Sequence, residues 1–329
     1  MSVQQFEVEK IWDRAPHNAF TDLIRFEGSW YCSFREATGH SVWDGHILII
    51  RSAEIEPRSA AHWSAVAHIA CPQSYNDLRD PKLSITPDGC LMLTAAAYKP
   101  VCQSFSWFSG DGVDWGEGNA IGPAGLWLWR TVWHKSVAYN FGRSEIAGDP
   151  FLQLFASDDG IDFRPHGARQ FDGIYVNESA PIFLEDNSCM VLLRRDSESA
   201  TAQLGCAEPP YENWRWRDLG VRVGGPALTQ LPDGRFVAVV RLYDGSQRTS
   251  LCWLDPVKST LGEFLTLPSG GDTSYAGLLS HDGRLWISYY SSDDAVSPGG
   301  SPDKTSIYLT SVRLDSLLAG HPVSDDATL

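Results

Sequence analysis

The chain has 329 residues, 43% of them hydrophobic, which is enough for two ordinary domains or for one large all-β ring or barrel. Its 41 acidic against 26 basic residues give a net charge of −15, the wrong sign for nucleic acid as a partner, so an anionic small molecule would need a local basic site. No stretch approaches the roughly 18 apolar residues that span a bilayer, and MSVQQFEVEK at the start has neither a basic leader nor an apolar segment, so the expectation is a cytoplasmic protein without a membrane partner.

In chain order, QFEVEKIW reads as a first strand. IRFEGSWYCSFRE, from Ile24, then introduces a design that recurs: a tight turn, here Glu-Gly, followed by an alternating or wholly apolar run. TPDGCLMLTAAAY (from Thr86), LEDNSCMVLLRRD (from Leu184), LPDGRFVAVVRLY (from Leu231) and SHDGRLWISYYSS (from Ser280) repeat it. The second turn residues are Gly28, Gly89, Asn187, Gly234 and Gly283, separated by 61, 98, 47 and 49 positions. The 98 is two steps, so a sixth unit belongs near residue 138, where TVWHKSVAYNF offers a strand pair without a clear turn residue. GLWLWRTVWHK in the same region reads as core rather than as a sugar platform. SGDGVDW at Ser109 and SDDGIDF at Ser157 share a second motif, 48 residues apart, whose serine and aspartate can bond their own turn and whose aromatic can pack beneath it. SPGGSPDK (297–304) reads as a loop, and SIYLTSVRL as a last strand able to pair with the first.

Six units of about 48 residues predict a six-bladed β-propeller occupying 1–329 as a single domain. Two β-sandwiches would not need a regular step. The seven cysteines form no CxxC pair, and Cys32, Cys90, Cys189 and Cys252 lie in apolar runs, so they are expected as reduced thiols.

The repeat also aligns three arginines. Arg35, Arg194 and Arg241 each lie seven residues after a turn marker, which in a ring places three guanidinium groups toward a common axis. Converging cations call for an anion, and a carboxylate matches the guanidinium fork. Alternatively, each could pair with a local acid such as Glu36, Asp196 or Asp244.

The S-x-D-G-x-x-W motifs, the first-unit "FR" and the arginines closing later units resemble the sialidase (neuraminidase) superfamily of six-bladed propellers, over nearly the whole chain. The resemblance implies a glycoside hydrolase acting on an acidic glycan, with Arg35, Arg194 and Arg241 as the triad holding the sugar carboxylate. It implies Tyr275 as nucleophile, Glu178 as its base and Asp44 as proton donor, with His40 as a rival. Asp80, in LRDPKLS, would face the substrate beside Arg79. A phenol nucleophile suits a sugar whose anomeric carbon carries a carboxylate, since a second carboxylate would be repelled. Neither a cofactor nor a metal is needed. The chain departs from the family where a glutamate normally supports the first arginine, for Tyr290 stands in that slot and the support must come from elsewhere, Glu36 being one source. A propeller polysaccharide lyase, a glycosidase for another acidic or deoxy sugar, and a non-catalytic sugar-binding propeller are the alternatives; oligomeric state is left open.

Overall fold

In the computed structural model, which describes residues 6–72, 74–292 and 304–319, six antiparallel four-stranded sheets follow one another as the blades of a propeller. The 297–304 loop falls almost wholly outside those residues. The inner strands of blades 1 to 6 are His17–Phe26, Asp77–Ile85, Leu126–His134, Val176–Phe183, Val223–Gln230 and Thr273–His281. In blade 3 the outer strand is broken into Arg164–Pro165 and Phe171–Asp172, both on Phe151–Ser157. Blade 6 closes the ring as expected: its outer strand, Val8–Trp12, comes from the start of the chain and pairs with Ser306–Arg313 in the register Val8 to Thr310 and Lys10 to Tyr308. The helix Leu314–Ala319 follows, and no helix among the described residues is long and apolar enough to cross a membrane.

The apolar runs are continuous because second strands are buried on both faces. In blade 4, Cys189, Val191 and Leu193 pack toward blade 3, while Met190 and Leu192 pack toward blade 5 with Phe236, Ala238 and Val240. Side chains alternate across the strand, so each blade supplies half of two interfaces. All seven cysteines are free, and Cys32, Cys189 and Cys252 are core members.

The turn missing from the third unit is Lys135–Ser136, which joins Leu126–His134 to Val137–Ser144. Both residues sit in the left-handed region, at φ 47° and 65°, where the other units use glycine or asparagine. The two aspartate motifs do what their residues imply. Ser109 Oγ accepts from Gly112 N at 2.8 Å, and Asp111 Oδ1 accepts from the amides of Val113 and Asp114 at 2.8 Å. Asp159 holds Ile161 and Asp162 in the same way. These motifs and the inner hairpin turns lie at one end of the blades, so the three arginines, at the far ends of the second strands, lie at the other.

Candidate active site

Every inner strand carries a bulge at the same height. Two of its residues oppose one on the second strand between Ala19 and Asp22, Arg79 and Lys82, Leu128 and Thr131, Val176 and Ser179, Gly224 and Ala227, and Ser274 and Gly277. A bulge re-aims a side chain that the regular pleat would direct elsewhere. Phe20, Asp80, Trp129, Glu178, Gly225 and Tyr275 occupy these positions. Phe20, Asp80 and Tyr275 have φ of 63°, 49° and 51°, backbone geometry that costs about 1–3 kcal/mol each and that the surrounding sheet must hold.

Tyr275, Glu178 and Arg194 meet directly. The Tyr275 hydroxyl donates to Glu178 Oε1 at 2.6 Å. Arg194 Nη1 donates to both Glu178 oxygens, at 3.0 and 2.9 Å, and to the Tyr275 oxygen at 2.9 Å. Arg194 Nη2 reaches Asp196 at 2.8 Å. Asp196 is two residues along the strand, on the same face, and is the one local acid of the three candidates that pairs with its arginine. Burial opposes the charge on Glu178, but Arg194 and Arg143 outweigh it and hold the pKa below the ordinary value. Burial, reinforced by the Glu178 charge, drives the Tyr275 pKa well above the usual phenol range. At rest the pair is therefore a neutral phenol beside a carboxylate.

Arg241 donates through Nε to Thr273 O at 2.7 Å and through Nη2 to Thr273 O, Tyr290 Oη at 3.0 Å and Asp272 at 3.4 Å. Its Nη1 has no acceptor among the described residues. Tyr290 donates to Asp272 Oδ1 at 2.6 Å, so its phenol serves Arg241 and not the first arginine. On the other oxygen of Asp272 converge His17 Nε2 at 2.9 Å and His40 Nδ1 at 2.5 Å. Among the described residues, these three side chains are the group whose ligand atoms lie close enough to approach a cation together. Their separations are those of hydrogen bonds to a carboxylate that Arg241 and Tyr290 already engage.

Arg35 is wholly buried, and its bonds stay within the fold. Its Nε and Nη2 bond Asp77 Oδ1 at 3.0 and 2.8 Å, while Nη1 and Nη2 donate to the carbonyls of Gly39 and Val42 at 3.1 and 2.6 Å. Asp77 Oδ2 takes Arg79 Nε at 2.6 Å. Asp77, not Glu36, thus supports Arg35. Glu36 is its chain neighbour, points to the opposite face and bonds Trp12 at 2.7 Å and His46 at 3.3 Å. Asp44 also stays apart. It is exposed and accepts from the Thr38 amide and hydroxyl at 3.2 and 2.6 Å. Slight burial works against its charge, yet those bonds lower its pKa, the wrong direction for a proton donor near neutrality.

Asp80 is 3% exposed and its Oδ1 has no partner. Burial raises its pKa to about 6, against the opposing charge of Lys82. The folded chain therefore keeps a proton that the unfolded chain has released, and stability falls as pH rises from about 4 through 6. Asp80→Asn is expected to raise Tm at pH 7.5, on the order of 2–4 °C for each kcal/mol recovered, and to leave it unchanged near pH 4, as thermal melts at the two pH values will register.

Asp77, Asp272, Phe20 and Trp129 were not singled out from the sequence. Trp129 confirms the core assignment of the tryptophan-rich segment, being 1% exposed, but it also walls the site, 6.4 Å from the Tyr275 ring.

No protein-family profile and no curated protein matches the sequence. Solved structures do share its fold. A protein of unknown function from Dyadobacter fermentans superposes with a TM-score of 0.78 at 16% identity, over 93% of this chain and 98% of that one. An α-L-arabinofuranosidase from Fusarium graminearum, complexed with an iminosugar inhibitor, gives 0.73 at 13% identity over 94% and 98%. A Trypanosoma rangeli sialidase bound to 2,3-difluorosialic acid gives 0.68 at 12% identity, over 95% of this chain and 59% of the longer sialidase. The chain is thus a divergent six-bladed propeller of the sialidase-like fold, an architecture that these neighbours share.

Proposed function

We propose that the protein is a retaining exo-glycosidase that removes a terminal acidic sugar through Tyr275. The observation carrying this reading is the buried contact of Tyr275 with Glu178 at 2.6 Å and Arg194 at 2.9 Å. A phenol whose pKa is raised is a poor nucleophile until a base takes its proton, and Glu178, held ionised by Arg194, is placed to do so. The resulting phenolate is stabilised by the Arg194 donor already on its oxygen. Arg241 Nη1, which has no acceptor among the described residues, is a guanidinium donor left for a substrate carboxylate.

A second reading is favoured by Arg35, whose donors are taken up by Asp77 and two carbonyls, leaving no complete triad. In it the sugar is neutral, Glu178 is the nucleophile and Tyr275 only orients it. Hydrolysis of 4-nitrophenyl glycosides of N-acetylneuraminic acid and of L-arabinofuranose by the purified protein separates the two: release from the first alone supports the acidic-sugar reading, and release from the second alone defeats it.

Gly225 gives the phenol its space. With φ at 51°, a Cβ there would stand 2.6 Å from Tyr275 Cδ2. Gly225→Ala is expected to displace the ring and lower kcat by about 10- to 100-fold, as misplacement of a reacting group does. Steady-state kinetics beside a near-ultraviolet circular dichroism spectrum will separate this from loss of fold.

A further inference from the structure

We infer that His40, held by Asp272, is the proton donor and acceptor of the reaction. The inference rests on the glycosidase reading above and supplies the acid that Asp44 does not provide. Three observations lead to it. His40 Nδ1 meets Asp272 Oδ2 at 2.5 Å, which fixes the ring and leaves Nε2 without a partner among the described residues. The side chain is 45% exposed, at the end of the propeller that holds Tyr275, so Nε2 is open to a ligand. Its ring packs edge-on against Phe20 at 5.5 Å, and Phe20 packs on Tyr275 at 5.0 Å, so one aromatic ring separates the two groups.

The surroundings fix the tautomer. Asp272 is held ionised: burial raises its pKa, but hydrogen bonds from His17 and His40 and the charge of Arg241 lower it much further. It must therefore accept from Nδ1–H, which leaves Nε2 as the ring nitrogen turned to the substrate. His17, on the same oxygen, is 1% exposed and kept from protonating by burial, with Asp272 opposing; it positions Asp272 rather than reaching a ligand. Arg79 Nη2 donates to the His40 carbonyl at 3.1 Å and anchors the loop. Asp272 and His17 are positioning residues; His40 is the catalytic one.

The steps balance. In the first, Glu178 takes the Tyr275 proton, the phenolate oxygen bonds to the anomeric carbon, the glycosidic C–O bond breaks, and Nε2–H of the imidazolium protonates the departing oxygen. In the second, neutral Nε2 takes a proton from water, whose oxygen bonds to the anomeric carbon as the tyrosyl C–O bond breaks, and Glu178 returns the proton to the phenol.

The test compares the methyl and 4-nitrophenyl α-glycosides of N-acetylneuraminic acid. His40→Ala is expected to lower kcat/KM about 10²- to 10⁴-fold on the methyl glycoside, whose leaving group needs a proton, and less than tenfold on the nitrophenyl one. Azide should restore the second step by giving a glycosyl azide. Asp272→Asn should show the same dependence on leaving group, with His40→Ala as the variant least able to disturb folding. Equal losses on both glycosides, a His40→Ala rate like that of the parent, or activity removed by chelator and restored by zinc would each overturn the role. A parent enzyme inert on both glycosides defeats the glycosidase reading itself, and this role with it.

Discussion

Tyr275→Phe is expected to lower kcat at least about 10³-fold while leaving substrate binding and Tm nearly unchanged. The asymmetry follows from what the hydroxyl does. The phenyl ring keeps its edge contacts with Phe20 at 5.0 Å and Trp129 at 6.4 Å, so packing survives. Glu178 remains paired to Arg194 through both oxygens, so no buried charge loses its partner. Only the reacting oxygen disappears. Incubating the parent protein with 2,3-difluorosialic acid should place a covalent adduct on the peptide containing Tyr275. An adduct on Glu178 would instead transfer the nucleophilic role to the carboxylate, and parent-like turnover by Tyr275→Phe would remove the tyrosine from the chemistry altogether. Because Arg194 holds the Glu178 pKa below its ordinary value, the acid limb of kcat/KM that reports this base should lie below the usual glutamate range, and the base should be fully competent at neutral pH.

The fold was legible because its signals are local. A tight turn whose second residue is left-handed asks for glycine or asparagine there, and five of six blades comply, with Gly28, Gly89, Asn187, Gly234 and Gly283 all at positive φ. Blade 3 hid its turn because Lys135 and Ser136 accept that conformation without advertising it. The strand exchange closing the ring was readable for the same reason, as two alternating segments left over at the chain ends.

The site was legible only in part. Equal spacing from the turns identified the three arginines, since that position is a property of each blade. Their partners are not: Asp77 opens the inner strand of the next blade and Asp272 lies just before that of blade 6, 42 and 31 residues from Arg35 and Arg241. Pattern alone suggested Glu36 for Arg35, and the pleat forbids it. The bulges were nearly as silent: Pro81 beside Asp80 is a residue that strands admit at bulges, but nothing in the sequence around Glu178 or Tyr275 marks the extra residue. The resemblance pointed to Tyr275, Glu178 and Asp80 on inner strands, which the fold places in the bulges, and to Asp44 on a loop, four positions after the His40 that bonds Asp272.

Asp77→Ala is expected to be the most destabilising single substitution near the site, by about 3–5 kcal/mol, or a Tm lower by roughly 10 °C. One fully buried carboxylate serves two guanidinium groups and a backbone amide: Oδ1 takes Arg35 Nε and Nη2 and the Gly45 amide at 2.8 Å, and Oδ2 takes Arg79. Removing it leaves Arg35, at 0% exposure, beside a like charge with no anion between them. The packing is tight as well, for a Cβ on Gly45 would fall 2.1 Å from Arg35 Nε and 2.3 Å from Asp77 Oδ1. Arg35→Met should cost less, because Asp77 keeps Arg79 and its amide. That ordering distinguishes the two roles open to Arg35. As an internal brace, it yields a Tm loss in Arg35→Met with KM altered only secondarily. As a ligand for a substrate carboxylate, it would raise KM sharply with the melting curve unmoved. Sulfate adds a further discrimination, since it should raise the Tm of Asp77→Ala more than that of the parent by restoring the missing negative charge between the two guanidinium groups.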